Sequence, residues 1–132
     1  HLVSKAFLDS EPSEPAQVSL ADLDGRSDGL IALTGGVAGP VGRLLAEGQN
    51  DAAIGALERL EKLFPGRLYI ELQRHGLEAE DLVEPLLVDL AYQRDLPLVA
   101  TYEPFFATAD MHAAHDALLC ISTSSYVSQS ER

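Results

Sequence analysis

At 132 residues the chain is long enough to bury one core and too short for a complete α/β barrel. Its 46% hydrophobic content marks a packed globular chain, not a disordered one. A formal net charge of -12 argues against binding nucleic-acid phosphates through this stretch alone, and suits solubility, a partner's basic patch or a site for divalent cations. One cysteine, Cys120, excludes an intrachain disulfide and any multi-cysteine zinc site. In the apolar run Ala117–Ile121 it reads as a small buried residue. No apolar run reaches membrane-spanning length and no secretory pattern is present, so no membrane and a cytoplasmic location are expected. The chain begins at His1 without an initiator methionine and is expected to be a piece of a longer protein.

In chain order, residues 1–9 carry apolar residues at helical spacing (Leu2, Val3, Ala6, Phe7, Leu8), and residues 10–15 form a polar loop with two prolines. Ser19 is an N-cap for a brief helical turn through Leu23, ended by Gly25. Residues 28–36 read as a nearly continuous apolar strand, covered on both faces. The glycine-rich loop Thr34-Gly-Gly-Val-Ala-Gly-Pro40 then opens a helix through Ala46. A phosphate cradle is the functional reading of that loop. Its spacing matches neither the P-loop nor the dinucleotide fingerprint, which favours tight-turn geometry.

Residues 51–64 predict an amphipathic helix capped by Asn50 or Asp51, with Ile54, Leu57, Leu60, Leu63 and Phe64 inward. Pro65-Gly66 stops it. A strand follows from Leu68, then a helix over 78–94 with Leu82, Val83, Leu86, Leu87, Leu90 and Ala91 inward, in which Pro85 is placed to distort the early turns. A strand over 98–101 and a last helix, from the capping stretch Thr108–Met111 through Ile121, complete the order. Strand and helix thus alternate three times after a small helical lead-in, which predicts an α/β fold of parallel β/α units. A three-stranded sheet is thin, so exposed edges and self-association of the chain are expected.

The stretch Leu68-Tyr-Ile-Glu-Leu-Gln-Arg-His-Gly76 concentrates the candidate chemistry. Leu68, Ile70 and Leu72 alternate with Tyr69, Glu71 and Gln73, and the second face continues to His75. A carboxylate, an amide and an imidazole line up toward the strand's C-terminal end, where parallel folds bind ligands and metals. Glu103 lies just past the next strand, facing the same space as His75 if the two strands are neighbours. Each has a plainer reading: His75 satisfying a turn carbonyl, Glu71 pairing with Arg74 or Arg67. His112 and His115, three apart on one helix, have a metal-compatible spacing but are better read as packing or capping.

Several ordered motifs together resemble the α subunit of bacterial replicative DNA polymerase III. They are residues 29–36, Gly39-Pro40, Arg43-Leu44-Leu45, the helix ending in Phe64, residues 68–76, Leu98–Thr101 and Ala114–Ile121. The region resembled, residues 28–132, is the C-terminal part of the subunit's polymerase-and-histidinol-phosphatase (PHP) domain, with residues 1–27 as a helical lead-in segment and loop. The resemblance implies part of a distorted PHP-type β/α barrel with a metal cluster at its C-terminal mouth. It assigns His75 to a metal-ligand histidine; Glu71, read from its place on the strand, is an acceptor behind that ligand or a structural ion-pair partner. The family's Ala-Thr-Asn-Asp-x-His reads Ala100-Thr-Tyr-Glu-Pro-Phe105 here, so Glu103 replaces an aspartate and Phe105 a histidine. The family's early His-x-His has no counterpart in this chain.

Phenylalanine cannot bind a metal, and affinity follows ligand count, so the site is expected to be degenerate, holding zinc or manganese weakly through His75 and Glu103. The resemblance further implies that the intact subunit synthesises DNA with magnesium. It implies, too, contact with DNA through other domains and assembly with other holoenzyme subunits, including a proofreading exonuclease docked on this region. No catalytic or nucleic-acid-binding residue is assigned within the 132 residues. The alternative is a metal-dependent phosphoesterase or 3'-5' nuclease of the PHP superfamily.

Overall fold

The computed structural model describes residues 2–11 and 13–129, which divide into two compact units, one ending at Thr101 and one beginning at Tyr102. In the first unit the described elements are α1 (Leu2–Asp9), β1 (Ala32–Leu33), α2 (Pro40–Ala46), α3 (Asn50–Leu63), β2 (Leu68–Leu72), α4 (Glu78–Arg94) and β3 (Leu98–Ala100). The second unit carries α5 (His112–Thr123), preceded by a 3-10 turn at Ala109–Met111 whose N-cap position is Thr108.

The sheet is parallel, in the order β1-β2-β3, as the alternation of elements predicts. Ala32 pairs with Leu68 and Leu33 with Tyr69; Ile70, Glu71 and Leu72 pair with Leu98, Val99 and Ala100. The core lies among β2 and three helices: Leu68 and Ile70, Val41 and Leu45 of α2, Ala53, Ala56, Leu57 and Leu60 of α3, and Val83, Leu87, Leu90 and Ala91 of α4.

The expected long strand over residues 28–36 is corrected to two residues. Gly29 adopts φ 76° and the Leu30 N–H donates to the Ser27 carbonyl at 3.1 Å, so a turn consumes the first half of the apolar run. Ile31 therefore lies outside β1, and Ile31 and Leu33 stay 67% and 45% exposed, so that strand is not covered on both faces. Leu82 is corrected likewise. It is 58% exposed, because the inward stripe runs through Val83, Leu87 and Leu90 and leaves its neighbour one helical step aside. Pro85 sits inside a helix that continues to Arg94; both it and Asp81, whose carbonyl loses its partner there, are exposed to water.

At the start of the chain, Ser19 caps a 3-10 turn at Leu20–Leu23. Its hydroxyl accepts from the Asp22 N–H at 3.3 Å while the Asp22 carboxylate accepts from the Ser19 N–H at 2.9 Å. The Ser19 hydroxyl also donates to the Asp22 carboxylate at 2.7 Å; this bond and the one from the Ser19 N–H hold the Asp22 carboxyl below the usual range, and Lys5 of α1 adds to the effect from 3.4 Å.

Candidate functional site at the strand ends

The glycine-rich loop leaves β1 through a sharp turn. Gly35 and Gly36 take φ 82° and 53°, a left-handed backbone that favours glycine, and the Gly39 N–H donates to the Gly35 carbonyl at 2.8 Å. A Cβ on Gly39 would stand 1.8 Å from the Thr34 carbonyl oxygen, so backbone meets backbone here. This is the tight-turn geometry expected over a phosphate cradle.

Because β1 turns away at Gly35, its ladder with β2 needs another acceptor. The register would send the Glu71 N–H to the Thr34 carbonyl; the Thr34 hydroxyl accepts it instead, at 2.9 Å. Glu71 is itself buried, 7% exposed. Its Oε2 accepts from the Gly35 N–H at 2.9 Å; its Oε1 accepts from the Thr101 hydroxyl and, at 3.5 Å, from the Gln73 amide. The same amide donates to the Thr101 hydroxyl oxygen at 3.3 Å. One carboxylate thus joins the C-terminal ends of all three strands. Neither arginine suggested by the sequence is its partner: Arg74 makes a two-pronged pair with Glu84 at 2.7 and 2.9 Å, and Arg67 faces Asp28 at 3.6 Å.

His75 does not continue the second face of β2, which ends at Leu72. It lies in the bend before α4, where the buried Glu80 takes hold of it. Glu80 Oε1 lies 2.7 Å from His75 Nδ1, and Oε2 accepts from the N–H groups of His75 at 2.6 Å and Leu77 at 3.2 Å. Burial pushes the Glu80 carboxyl up, but the His75 ring and the two peptide donors outweigh it and hold the group below its ordinary value. An ionised carboxylate only accepts, so the Nδ1 of His75 is the donor of this pair. Metal-binding histidines are oriented in this way. Sequence reasoning missed Glu80, although its signal was present: a glutamate three residues after Leu77, ahead of an apolar run, at the carboxylate position of a capping box.

Glu103 and Phe105 belong to the second unit, where both are exposed. Phe105 stacks on His115 with ring centroids 5.5 Å apart, and Phe106 packs on His115 at 5.4 Å and edge-on to His112 at 5.9 Å. Those two histidines have the packing environment expected of them. Cys120 is buried, at 5% exposure. Among the described residues no three His, Cys, Asp or Glu side chains group to hold a metal, so the residues present do not by themselves fit the metal cluster that the resemblance implies. No described helix is long and apolar enough to cross a membrane.

The PHP domain family model matches residues 1–75, more than half of the chain. The chain belongs to the PHP domain family. Three proteins named DNA polymerase III subunit alpha illustrate which relatives of this PHP chain are known. That of Caulobacter vibrioides is 47% identical over 99% of the chain, that of Rickettsia bellii 36% over 92%, and that of Vibrio cholerae 35% over 91%. The chain spans only 12%, 10% and 10% of their respective lengths.

Proposed function

We propose that this chain is the C-terminal part of the PHP domain, residues 28–132 with the lead-in 1–27, of the α subunit of a bacterial replicative DNA polymerase. The intact subunit, a cytoplasmic enzyme, extends DNA with magnesium held outside these residues. It works within a holoenzyme and reaches DNA through its other domains. The parallel β/α units form part of a distorted barrel, and the region braces the subunit and docks a proofreading exonuclease instead of catalysing a reaction. Glu71 carries this reading. The buried carboxylate nearest the strand ends is committed to Gly35, Gln73 and Thr101, which leaves His75 as the candidate ligand of a degenerate site in the first unit, with Glu103 a separate candidate in the second. Titration calorimetry with zinc or manganese tests it. Weak binding is expected, since isolated ligands leave most coordination positions to water; tight binding abolished by His75→Ala would overturn the reading.

One observation favours a second reading, a metal-dependent phosphoesterase or 3'-5' nuclease. The His75–Glu80 pair has the geometry by which proteins orient a ligating imidazole. Hydrolysis of p-nitrophenyl phosphate or of single-stranded DNA, supported by manganese and lost in His75→Ala, would establish it.

A further inference from the structure

The donors around Glu71 make a binding site in their own right. The Gly35 N–H, the Thr101 hydroxyl and the Gln73 amide all point at its two carboxylate oxygens. The acceptor is shielded although its donors are half-buried: Glu71 is 7% and Thr34 1% exposed, and a Cβ on Gly36 would stand 2.6 Å from Gln73 Oε1, so the amide lies against bare backbone. Among the described residues no Lys, Arg or His forms an ion pair with Glu71, and no buried side-chain polar atom lacks a partner. The negative charge is therefore held by neutral dipoles, as anions are held in backbone turns. We propose that Gly35, Gln73 and Thr101 form a carboxylate-binding pocket whose resident ligand is the chain's own Glu71 side chain, and that this internal anion, not a metal ion, ties the three strand ends together.

The inference stands on these hydrogen bonds and is independent of the polymerase assignment. It also accounts for the phosphate-like look of the glycine loop: the turn does present an N–H to an anion, and the chain supplies that anion itself. Chemical complementation follows. Glu71→Ala removes a carboxymethyl group, the size and charge of acetate, and leaves the three donors around the vacated space.

The test compares urea midpoints of the wild-type chain, Glu71→Ala and the double variant Glu71→Ala/Thr101→Val at neutral pH, in sodium acetate and in sodium chloride of equal ionic strength. Glu71→Ala is expected to lose stability in chloride and regain it in acetate. Beyond the acetate dissociation constant, each further tenfold in acetate multiplies its folded-to-unfolded ratio by about ten. The wild-type chain should not distinguish the salts, and the double variant should regain less. If Glu71→Ala does not fold in chloride, folding restored by acetate supports the proposal. Equal behaviour in both salts would overturn it, as would a wild-type midpoint that falls on adding a chelator. A second readout needs no stability change: the Gly35 amide proton resonance should shift strongly between wild type and Glu71→Gln, and an unmoved resonance would refute the pocket.

Discussion

Two glycine-to-alanine substitutions on adjacent helices should move stability in opposite directions. Helix propensity alone predicts that both gain, by about 1 kcal/mol each. Gly55, inside α3, has nothing within 4 Å of where a Cβ would sit, so Gly55→Ala should realise that gain. Gly42, in the first turn of α2, is buried, and its Cβ would meet the Gly36 carbonyl oxygen at 2.1 Å and Val37 Cα at 2.8 Å. Both obstacles are backbone, so no side chain can rotate aside. An ordinary carbon–oxygen contact is about 3.3 Å, which leaves the 3-10 turn Gly36–Ala38 and α2 to separate by about 1.2 Å against a packed core. Overpacking of this kind costs about 1–3 kcal/mol, and a rigid obstacle belongs at the upper end. After the propensity gain, Gly42→Ala should lose about 2 kcal/mol.

The two variants should therefore differ by about 3 kcal/mol, or about 1.5 M in urea midpoint at a slope of about 2 kcal/mol per molar. Urea unfolding followed by far-ultraviolet circular dichroism measures this directly. A Gly42→Ala chain as stable as the wild type would refute the reasoning, because it would mean that the loop and α2 do not meet as closely as their backbones require.

Three further outcomes follow from burial and charge. Leu57→Ala, at a fully buried position of α3, should cost about 2–5 kcal/mol, whereas Leu82→Ala, at 58% exposure, should change stability by under about 0.5 kcal/mol; paired urea melts decide. The hydrogen bond from Arg94 holds the Glu58 carboxyl below its usual 4.5, so its contribution is present above that pH and lost as pH falls through the lowered value. The wild-type advantage over Arg94→Gln should accordingly be constant near neutrality and vanish in acid, and an advantage that survives full protonation of Glu58 would contradict this. Added salt should promote self-association by screening the net charge of -12 and letting the exposed Ile31 and Leu33 meet, which light scattering across a salt series would detect; a chain monomeric throughout would contradict it.

The helices were legible because burial and periodicity agree. Leu57 and Leu60 in α3, and Val83, Leu87 and Leu90 in α4, lie on the faces their spacing assigns. β2 was legible for the same reason over Leu68–Ile70, but not at Glu71 and Leu72, where the glutamate is buried and the leucine half-buried. β1 was not, because a run of apolar residues carries no mark of where the chain turns, and the backbone angle at Gly29 and the Leu30–Ser27 hydrogen bond decide that. At the site, the sequence drew attention to His75 and Glu71 but not to what they touch. A glutamate alternating with leucines reads as a surface residue; only the fold of Gly35 back over the strand end, and the arrival of Thr101 alongside, make it a buried acceptor. Glu80 needed the bend at Gly76 to bring the start of α4 under the imidazole.

The same hydrogen bonds bear on how a cation could use these strand ends. Drawing the Glu71 carboxylate toward a metal would strip the half-buried Gly35 N–H and Thr101 hydroxyl of their acceptor. A fully buried group so orphaned costs about 1–3 kcal/mol, and a half-buried one less. A metal bound through Glu71 must recover that loss before it shows any net affinity. The carboxylate can hold the strands or serve an ion, but each use undoes the other. Weak metal binding and a stability insensitive to chelators are for that reason outcomes to be expected together. Glu71→Ala separates them: it removes the competitor for the donors and the possible ligand at once, so a variant that bound metal more tightly than the wild type would show the ion relying on His75 and other groups, with Glu71 only closing the space.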